Sequence, residues 1–347
     1  MQTDCRKKNG RWYLCSFSLC VLLAASAAGF AQSSPSAASA EALIASGHFD
    51  EALHQLDAIA TQEHTPGHVE YLRGMAYYLD GEMIKAAASF AKAADQDAEN
   101  LDATQMEGVS LFRAGKPGEA VPLLERAHKS VPNANIDPNY VLGLCYIQTS
   151  RYDDARTAFS RQYGFAPNSA AAYLLEARML LRQDYLPIAE KAARKALELN
   201  PALPRAHLLL GESALAEAKV SEAIAQFEQE SVLNPLDGAA YDRVGDGYIR
   251  LGDFSRAQEA LDRALLLEPN VSIPYLLLGK VLLKQQNPFM AKMYLERALQ
   301  MDPGNYMAHF LLGQAYRAVG QVDDANREYQ AAAKIQTASA PKLESPE

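Results

Sequence analysis

Gly313, Gly279, Gly245 and Gly211 stand thirty-four residues apart, and the same step continues to Ala177 and Gly143. One step of thirty-five then reaches Gly108, and a last step of thirty-four reaches Gly74. A small residue recurring at a fixed interval of this size means that two helices approach closely once in every unit. Such a chain stacks helical hairpins in a row and needs no central core, so its length does not imply separate globular domains.

Other positions keep the same register. Twelve residues after each stop is an alanine: Ala86, Ala120, Ala155, Ala189, Ala223, Ala257, Ala291 and Ala325. Four further on come Phe90, Leu124, Phe159, Ala193, Phe227, Leu261, Leu295 and Tyr329, nearly all large and expected to fill the gap between hairpins. Then follow small residues, broken by Gln162 and Glu230, and prolines at 132, 167, 201, 235, 269 and 303. Proline lacks an N–H and disfavours helix in the residue before it, so it ends the second helix of each pair. Gly47, Gly81, Gly115, Gly252 and Gly320 mark the turn between the two helices, where a positive φ costs glycine little.

The pattern resembles the tetratricopeptide repeat. One unit reads Tyr241, Val244-Gly245, Tyr248, Ala257, Leu261, Ala264 and Pro269; the last reads His309, Leu312-Gly313, Tyr316, Ala325, Tyr329 and Ala332. The repeats run 67–100, 101–134, 136–169, 170–203, 204–237, 238–271, 272–305 and 306–339, and residues 32–66 form a linker and a partial repeat, with only the second helix recognisable, that caps the N-terminal end. The thirty-five-residue pentatricopeptide type fits one spacing of the seven. The resemblance implies an all-α fold, a right-handed α-solenoid of about eight to nine stacked hairpins, and a protein- or peptide-binding scaffold with no cofactor.

In that family the first helix of each hairpin lines a concave groove, which assigns inner-face positions here. The N-terminal half offers an apolar strip of Tyr71, Met75, Tyr78, Phe112, Tyr140, Leu144 and Ile147. Farther along come Arg178 and Arg182, the acids Asp242 and Asp246, and Lys280, Lys284, Phe310 and Arg317. An exposed apolar strip marks a partner site, though aromatics at helical spacing also serve as core. The Lys and Asn slots by which some members clamp a peptide carboxylate hold neither residue here. Arg73, Glu107 and Glu176 occupy the usually apolar slot before the stop; Arg73 and Glu107 are expected to pair across adjacent repeats.

Residues 1–31 stand outside the repeats. Arg6, Lys7, Lys8 and Arg11 precede an apolar run, and Gly29-Phe30-Ala31 offers small residues at a cleavage point, as in a secretory signal peptide. Retained, residues 12–30 could instead anchor the chain in a membrane. The expected address is periplasmic or secreted. Without the leader the single cysteine is Cys145, read as a core thiol. Charge disfavours nucleic acid as partner: 33 basic residues face 42 acidic ones, a net −9 that suits a basic or apolar partner better. Glu63, His64, His68 and Glu70 are the one cluster with metal-ligand chemistry, but Pro66-Gly67 interrupts the helical spacing of the histidines and no metal is assigned. No phosphate loop or nucleophile elbow is present, so an enzyme is the remote alternative. A structural subunit that self-associates through the terminal repeat is the nearer one. The tail, 340–347, is polar and expected to be disordered.

Overall fold

The structure is a computed structural model that describes residues 36–60, 67–97, 101–127 and 138–339. The leader, the 61–66 segment with Glu63 and His64, the Pro132 loop and the tail lie outside the described residues. Helices are the only regular secondary structure among the described residues, and they come in nine consecutive pairs. These are α1 (Ala37–Ala45) with α2 (Phe49–Ala60), α3 (Gly67–Asp80) with α4 (Met83–Gln96), and α5 (Leu101–Arg113) with α6 (Pro117–Ala127). Then come α7 (Pro138–Gln148) with α8 (Tyr152–Tyr163), α9 (Ala170–Arg182) with α10 (Leu186–Leu199), and α11 (Ala206–Ala216) with α12 (Val220–Leu233). The last three are α13 (Gly238–Leu251) with α14 (Phe254–Leu267), α15 (Ser272–Lys284) with α16 (Pro288–Met301), and α17 (Tyr306–Ala318) with α18 (Val322–Ser339). The N-terminal unit, expected to supply a second helix alone, is a complete but shortened hairpin: α1 starts on a Ser36 side-chain cap and buries Ala40 against the core.

The ladder of small residues sits where the two helices of one hairpin cross. A Cβ on Gly74 would lie 2.7 Å from the Phe90 ring, one on Gly143 2.5 Å from Phe159, and one on Gly245 2.6 Å from Leu261. Gly211 meets Phe227 and Gly279 meets Leu295 in the same way. The large residue therefore fills the crossing inside its own hairpin rather than the gap between hairpins. Where the stop is Ala177, the facing residue sixteen places on is Ala193, so the added methyl is matched by a lost side chain. Phe90, Phe159, Phe227, Leu124, Leu261 and Leu295 are fully buried, each contributing about 1.5–3 kcal/mol of apolar transfer free energy.

The turn within each hairpin obeys a second rule. Its positive-φ position recurs at Gly47, Gly81, Gly115, Ser150, Asp184, Ala218, Gly252, Gln286 and Gly320. Five of the nine are glycine; the other four hold the left-handed conformation at a cost of about 1–2 kcal/mol each. The next backbone N–H then reaches back to the first helix, as when Lys219 donates to the Ala214 carbonyl at 2.8 Å.

Successive hairpins are tied by side-chain hydrogen bonds at repeating positions. Tyr146, Tyr248 and Tyr316, on first helices, donate to Glu125, Glu228 and Glu296 on the preceding second helix at 2.6, 2.6 and 2.8 Å. Arg151 at the start of α8 and Arg256 on α14 stack over the Tyr146 and Tyr248 rings from the following side, and Lys292 on α16 lies over Tyr316 from the preceding one. Tyr275 and His309 bond the carbonyls of Pro269 and Pro303, satisfying groups left free where the preceding helix stops.

The polar residues before the stop face the preceding second helix. Arg73 pairs with Asp57 on α2 at 2.7 Å and lies 3.8 Å from Glu70, not against Glu107 as expected. Glu176 likewise meets Arg156 of α8 at 3.2 Å, with both residues buried. First helices also touch the next first helix, as in α1–α3, α5–α7, α9–α11, α13–α15 and α15–α17; no two second helices approach to that extent among the described residues. The odd-numbered helices therefore form the inner wall of the solenoid and the even-numbered ones the outer.

Two outcomes follow for stability. Gly211→Ala is expected to cost about 2–3 kcal/mol by overpacking Phe227. In the double variant Gly211→Ala/Phe227→Ala, urea unfolding should show a cost at least ~1 kcal/mol below the sum of the singles, because the new methyl enters the vacated space. Strict additivity would mean that the contact does not set the crossing. Ala218→Gly should raise stability by about 0.5–1 kcal/mol by relieving the left-handed turn; a lower unfolding midpoint would contradict this.

Candidate functional site

The inner wall is not the continuous apolar strip that the N-terminal repeats suggest. Leu144 and Ile147 are buried in the core and unavailable to a partner, because α5, α8 and α9 close around that face of α7. Tyr71 is half-buried with its ring edge-on to Phe90 at 5.4 Å, and Tyr140 leans on Phe159 at 6.0 Å. Their slot packs against the large residue of their own hairpin. Met75 and Tyr78 pack on the same cluster as Phe90, and Tyr78 also carries the Arg113 guanidinium at 4.7 Å. Phe112 is half-buried against the central core.

An open apolar site lies farther along, between α9 and α11. Phe165, Ala171, Leu174, Leu175, Arg178, Pro204, Arg205, Leu208, Leu209 and Glu212 surround a cavity of about 310 Å³. Its floor is leucine from two neighbouring first helices; its rim is Phe165, 42% exposed, with Arg178, Arg205 and Glu212. Phe165 stacks on exposed Tyr163 at 6.4 Å, so the rim carries two aromatic rings facing water. The loop bearing Pro204 and Arg205 is fixed from below by Glu230, the large acid in a slot usually small. One Glu230 carboxylate oxygen accepts the Arg205 backbone N–H at 2.7 Å and the Asn234 side-chain amide at 2.5 Å. Glu230 thus holds Arg205 in its left-handed conformation at the start of α11.

Leu174 and Leu208 stand three places before, and Arg178 and Glu212 one place after, the stops Ala177 and Gly211, positions that the repeat puts on the inner face. Phe165, Leu175, Pro204, Arg205 and Leu209 hold no such position, because two loops and a second row of leucines complete the cavity. The signal for them was the doubled leucine at 174–175 and again at 208–209, together with an aromatic two residues past the end of α8.

Beyond this pocket the inner wall is charged. Glu212 bonds Arg243 at 2.9 Å, joining α11 to α13, and Asp246 bonds Arg250 at 2.9 Å. Asp242, expected to be exposed, is instead buried at 8% exposure, since Gly238 lets Glu268 close over that end of α13. Its Oδ1 has no hydrogen-bond partner among the described residues. Burial first, and the Glu268 charge second, push its carboxyl up to about 7, with Arg243 opposing. Arg178, Arg182, Lys284 and Arg317 are exposed, and Lys280 is half-buried. Phe310 is 44% exposed and rests on Tyr329 at 5.7 Å.

Other groups with chemical potential are occupied by packing. Burial pushes the Cys145 thiol up to about 12, which keeps it unreactive at neutral pH. Burial also raises Glu176 to about 7 against the pull of Arg156, a guanidinium shared with Asp153 at 2.7 Å and the Pro167 carbonyl at 2.9 Å. That pair floors a larger outer cleft of about 960 Å³ between α8 and α10. On its walls Arg151, Arg194 and Lys195 are matched with Asp154, Glu190 and Glu198. His68 is exposed, and Glu70 faces Arg73. No helix among the described residues is long and apolar enough to cross a membrane.

Profiles of the tetratricopeptide repeat match residues 111–179 and residues 38–100, 174–240, 245–288 and 276–341. Anaphase-promoting complex subunit 3 of Schizosaccharomyces pombe is 22% identical over 243 residues, covering 70% of this chain and 36% of that protein. The chloroplastic tetratricopeptide repeat domain-containing protein PYG7 of Arabidopsis thaliana is 30% identical over 96 residues, covering 26% of this chain and 32% of that one. The chain thus spans about a third of the length of the curated relatives it matches. Among solved structures it is similar to YrrB, a TPR protein with an unusual peptide-binding site, at 22% identity and a TM-score of 0.43, over 54% of this chain and 95% of that one.

The buried acid makes a pH prediction. Native Asp242 keeps its proton up to about pH 7; in the unfolded chain it loses it near the ordinary value, about 3.9. The native state binds more protons in that window, so stability falls as pH rises through it. Urea unfolding should show a smaller loss between pH 5 and 8 for Asp242→Asn than for the parent, with Glu176 supplying slope of the same sign. An equal or larger loss in the variant would contradict the assignment.

Proposed function

This chain belongs to the tetratricopeptide repeat family, and from that premise we propose that it is a non-enzymatic scaffold holding a segment of another protein along its inner wall. The observation that carries this reading is the leucine-floored cavity between α9 and α11. It is open, apolar and rimmed by polar groups, the form of a pocket that takes one anchoring side chain. Neighbouring first helices offer an elongated surface beside it, suited to an extended or helical segment.

A secretory leader at residues 1–31 would support a role for this scaffold outside the cytoplasm. In this reading residues 1–31 direct export and are removed after Ala31, and the mature solenoid works in cell-envelope or secretion-complex assembly. Retention of residues 12–30 would tether the same scaffold to the membrane.

A second reading, self-association, draws on the last hairpin. Tyr306, Met307 and Phe310 on α17 are 44%, 38% and 44% exposed, and no further first helix follows to cover them among the described residues. Light scattering after size exclusion separates the two. A dimer lost on Phe310→Glu favours self-association; Tyr329→Glu is unsuitable because Tyr329 fills the crossing at Gly313.

The scaffold reading predicts that Leu174→Asp, with an unchanged helical spectrum and unfolding midpoint, loses the proteins captured by the parent from envelope extracts. Recovery of the same proteins in the same amounts would show that the cavity is not the site.

A further inference from the structure

The chain as a whole is acidic, yet the inner wall of its C-terminal half is not. Arg178, Arg182, Lys280, Lys284 and Arg317 make no ion pair or hydrogen bond with any described residue. On the outer wall Arg194, Lys195, Arg256 and Arg327 are each matched with an acid, while Arg297 bonds Gln300 and Arg263 lies over the Tyr241 ring. The acids of the same inner wall are spent: Glu212 is held by Arg243, Asp246 by Arg250, Glu176 by Arg156, and Asp242 is buried.

The unmatched cations also have an order. Arg178 and Arg182 follow the α9 stop by one and five places, and Lys280 and Lys284 follow the α15 stop by the same one and five places. The structure fixes where that slot points, since Arg178 and Glu212, both one place after their stops, line the same inner cavity. Between the two cationic sites the slot one place after the stop holds Glu212 on α11 and Asp246 on α13, each already paired with an arginine. Arg317 on α17 extends the second site. Three steps between neighbouring first helices, at about 8–10 Å each, separate the sites by roughly 24–30 Å. An extended chain covers that distance in about seven to nine residues.

We propose that the inner wall from α9 to α17 binds an extended, acidic protein segment. An apolar side chain of that segment seats in the α9–α11 cavity, and carboxylates meet Arg178 and Arg182 at one end and Lys280, Lys284 and Arg317 at the other. The inference rests on the groove reading above and adds the charge and length of its occupant. It also reverses what net charge suggests from the sequence, because the excess acid lies off the inner wall. A nucleic acid is the less fitting polyanion: the cations sit beside leucine rather than in a continuous stripe, and the net −9 of the chain repels a long polyphosphate.

Fluorescence anisotropy on the full chain tests this with three labelled twelve-residue peptides sharing one central leucine pair, their other positions rich in Glu, Gln or Lys. The Glu peptide should bind about tenfold tighter than the Gln peptide at about 50 mM salt, and the gap should close towards roughly 0.5 M salt. Arg178→Glu/Arg182→Glu and Lys280→Glu/Lys284→Glu should each weaken the Glu peptide several-fold more than the Gln peptide and keep the unfolding midpoint. Equal binding of Glu and Gln peptides, both lost on Leu174→Asp, would overturn the charge inference while the groove reading stands. Binding of either peptide untouched by Leu174→Asp and by both charge reversals would overturn the inference and the groove reading together. A twelve-nucleotide single strand that binds as tightly as the Glu peptide would overturn the assignment of a protein segment.

Discussion

Seven of the nine hairpins close on one contact, a ring or a branched aliphatic side chain from the second helix lying on a bare glycine backbone of the first. Seven glycines make this contact with no room for a methyl group. Because the two helices touch at the same height in every unit, each hairpin presents the same two faces to its neighbours. The tyrosine-to-glutamate bonds between hairpins then recur at nearly equal sequence separations. The Ala177–Ala193 unit shows that the constraint is one of summed volume rather than of glycine as such. It is also the unit that carries the open cavity beside it.

That regularity explains which features were readable in one dimension. A steric rule that depends on residue size leaves its mark at a fixed interval, so the stops, the buried alanines and the helix-ending prolines stood in plain sight. Four of the nine hairpin turns did not, since Ser150, Asp184, Ala218 and Gln286 are forced into positive φ by the helices on either side and carry no glycine to announce it. Ion-pair partners were equally hidden. Arg73 finds Asp57 because its slot faces backwards onto α2, a geometric fact that thirty-four-residue spacing does not encode.

The site was half legible for a related reason. Slots on the first helices follow the period, so Leu174, Arg178, Leu208 and Glu212 could be placed on the inner wall. The same rule offered Leu144 and Ile147, which the crowding of α5, α8 and α9 around α7 takes into the core, and Asp242, which Glu268 covers. The cavity itself comes from departures from the repeat: an aromatic after α8, doubled leucines, and a buried glutamate holding the loop before α11. A perfectly regular solenoid would present a uniform wall; the distinct cavity here arises where the units differ.

The central claim is that a partner lies on the inner wall, seated between α9 and α11. Amide hydrogen exchange of the full chain, with and without a bound partner segment, tests it most directly. The account predicts slowed exchange across 164–182 and 203–216, with the outer helices α8 and α10 unchanged away from those loops. Slowing confined to the outer cleft or to the last hairpin would contradict it.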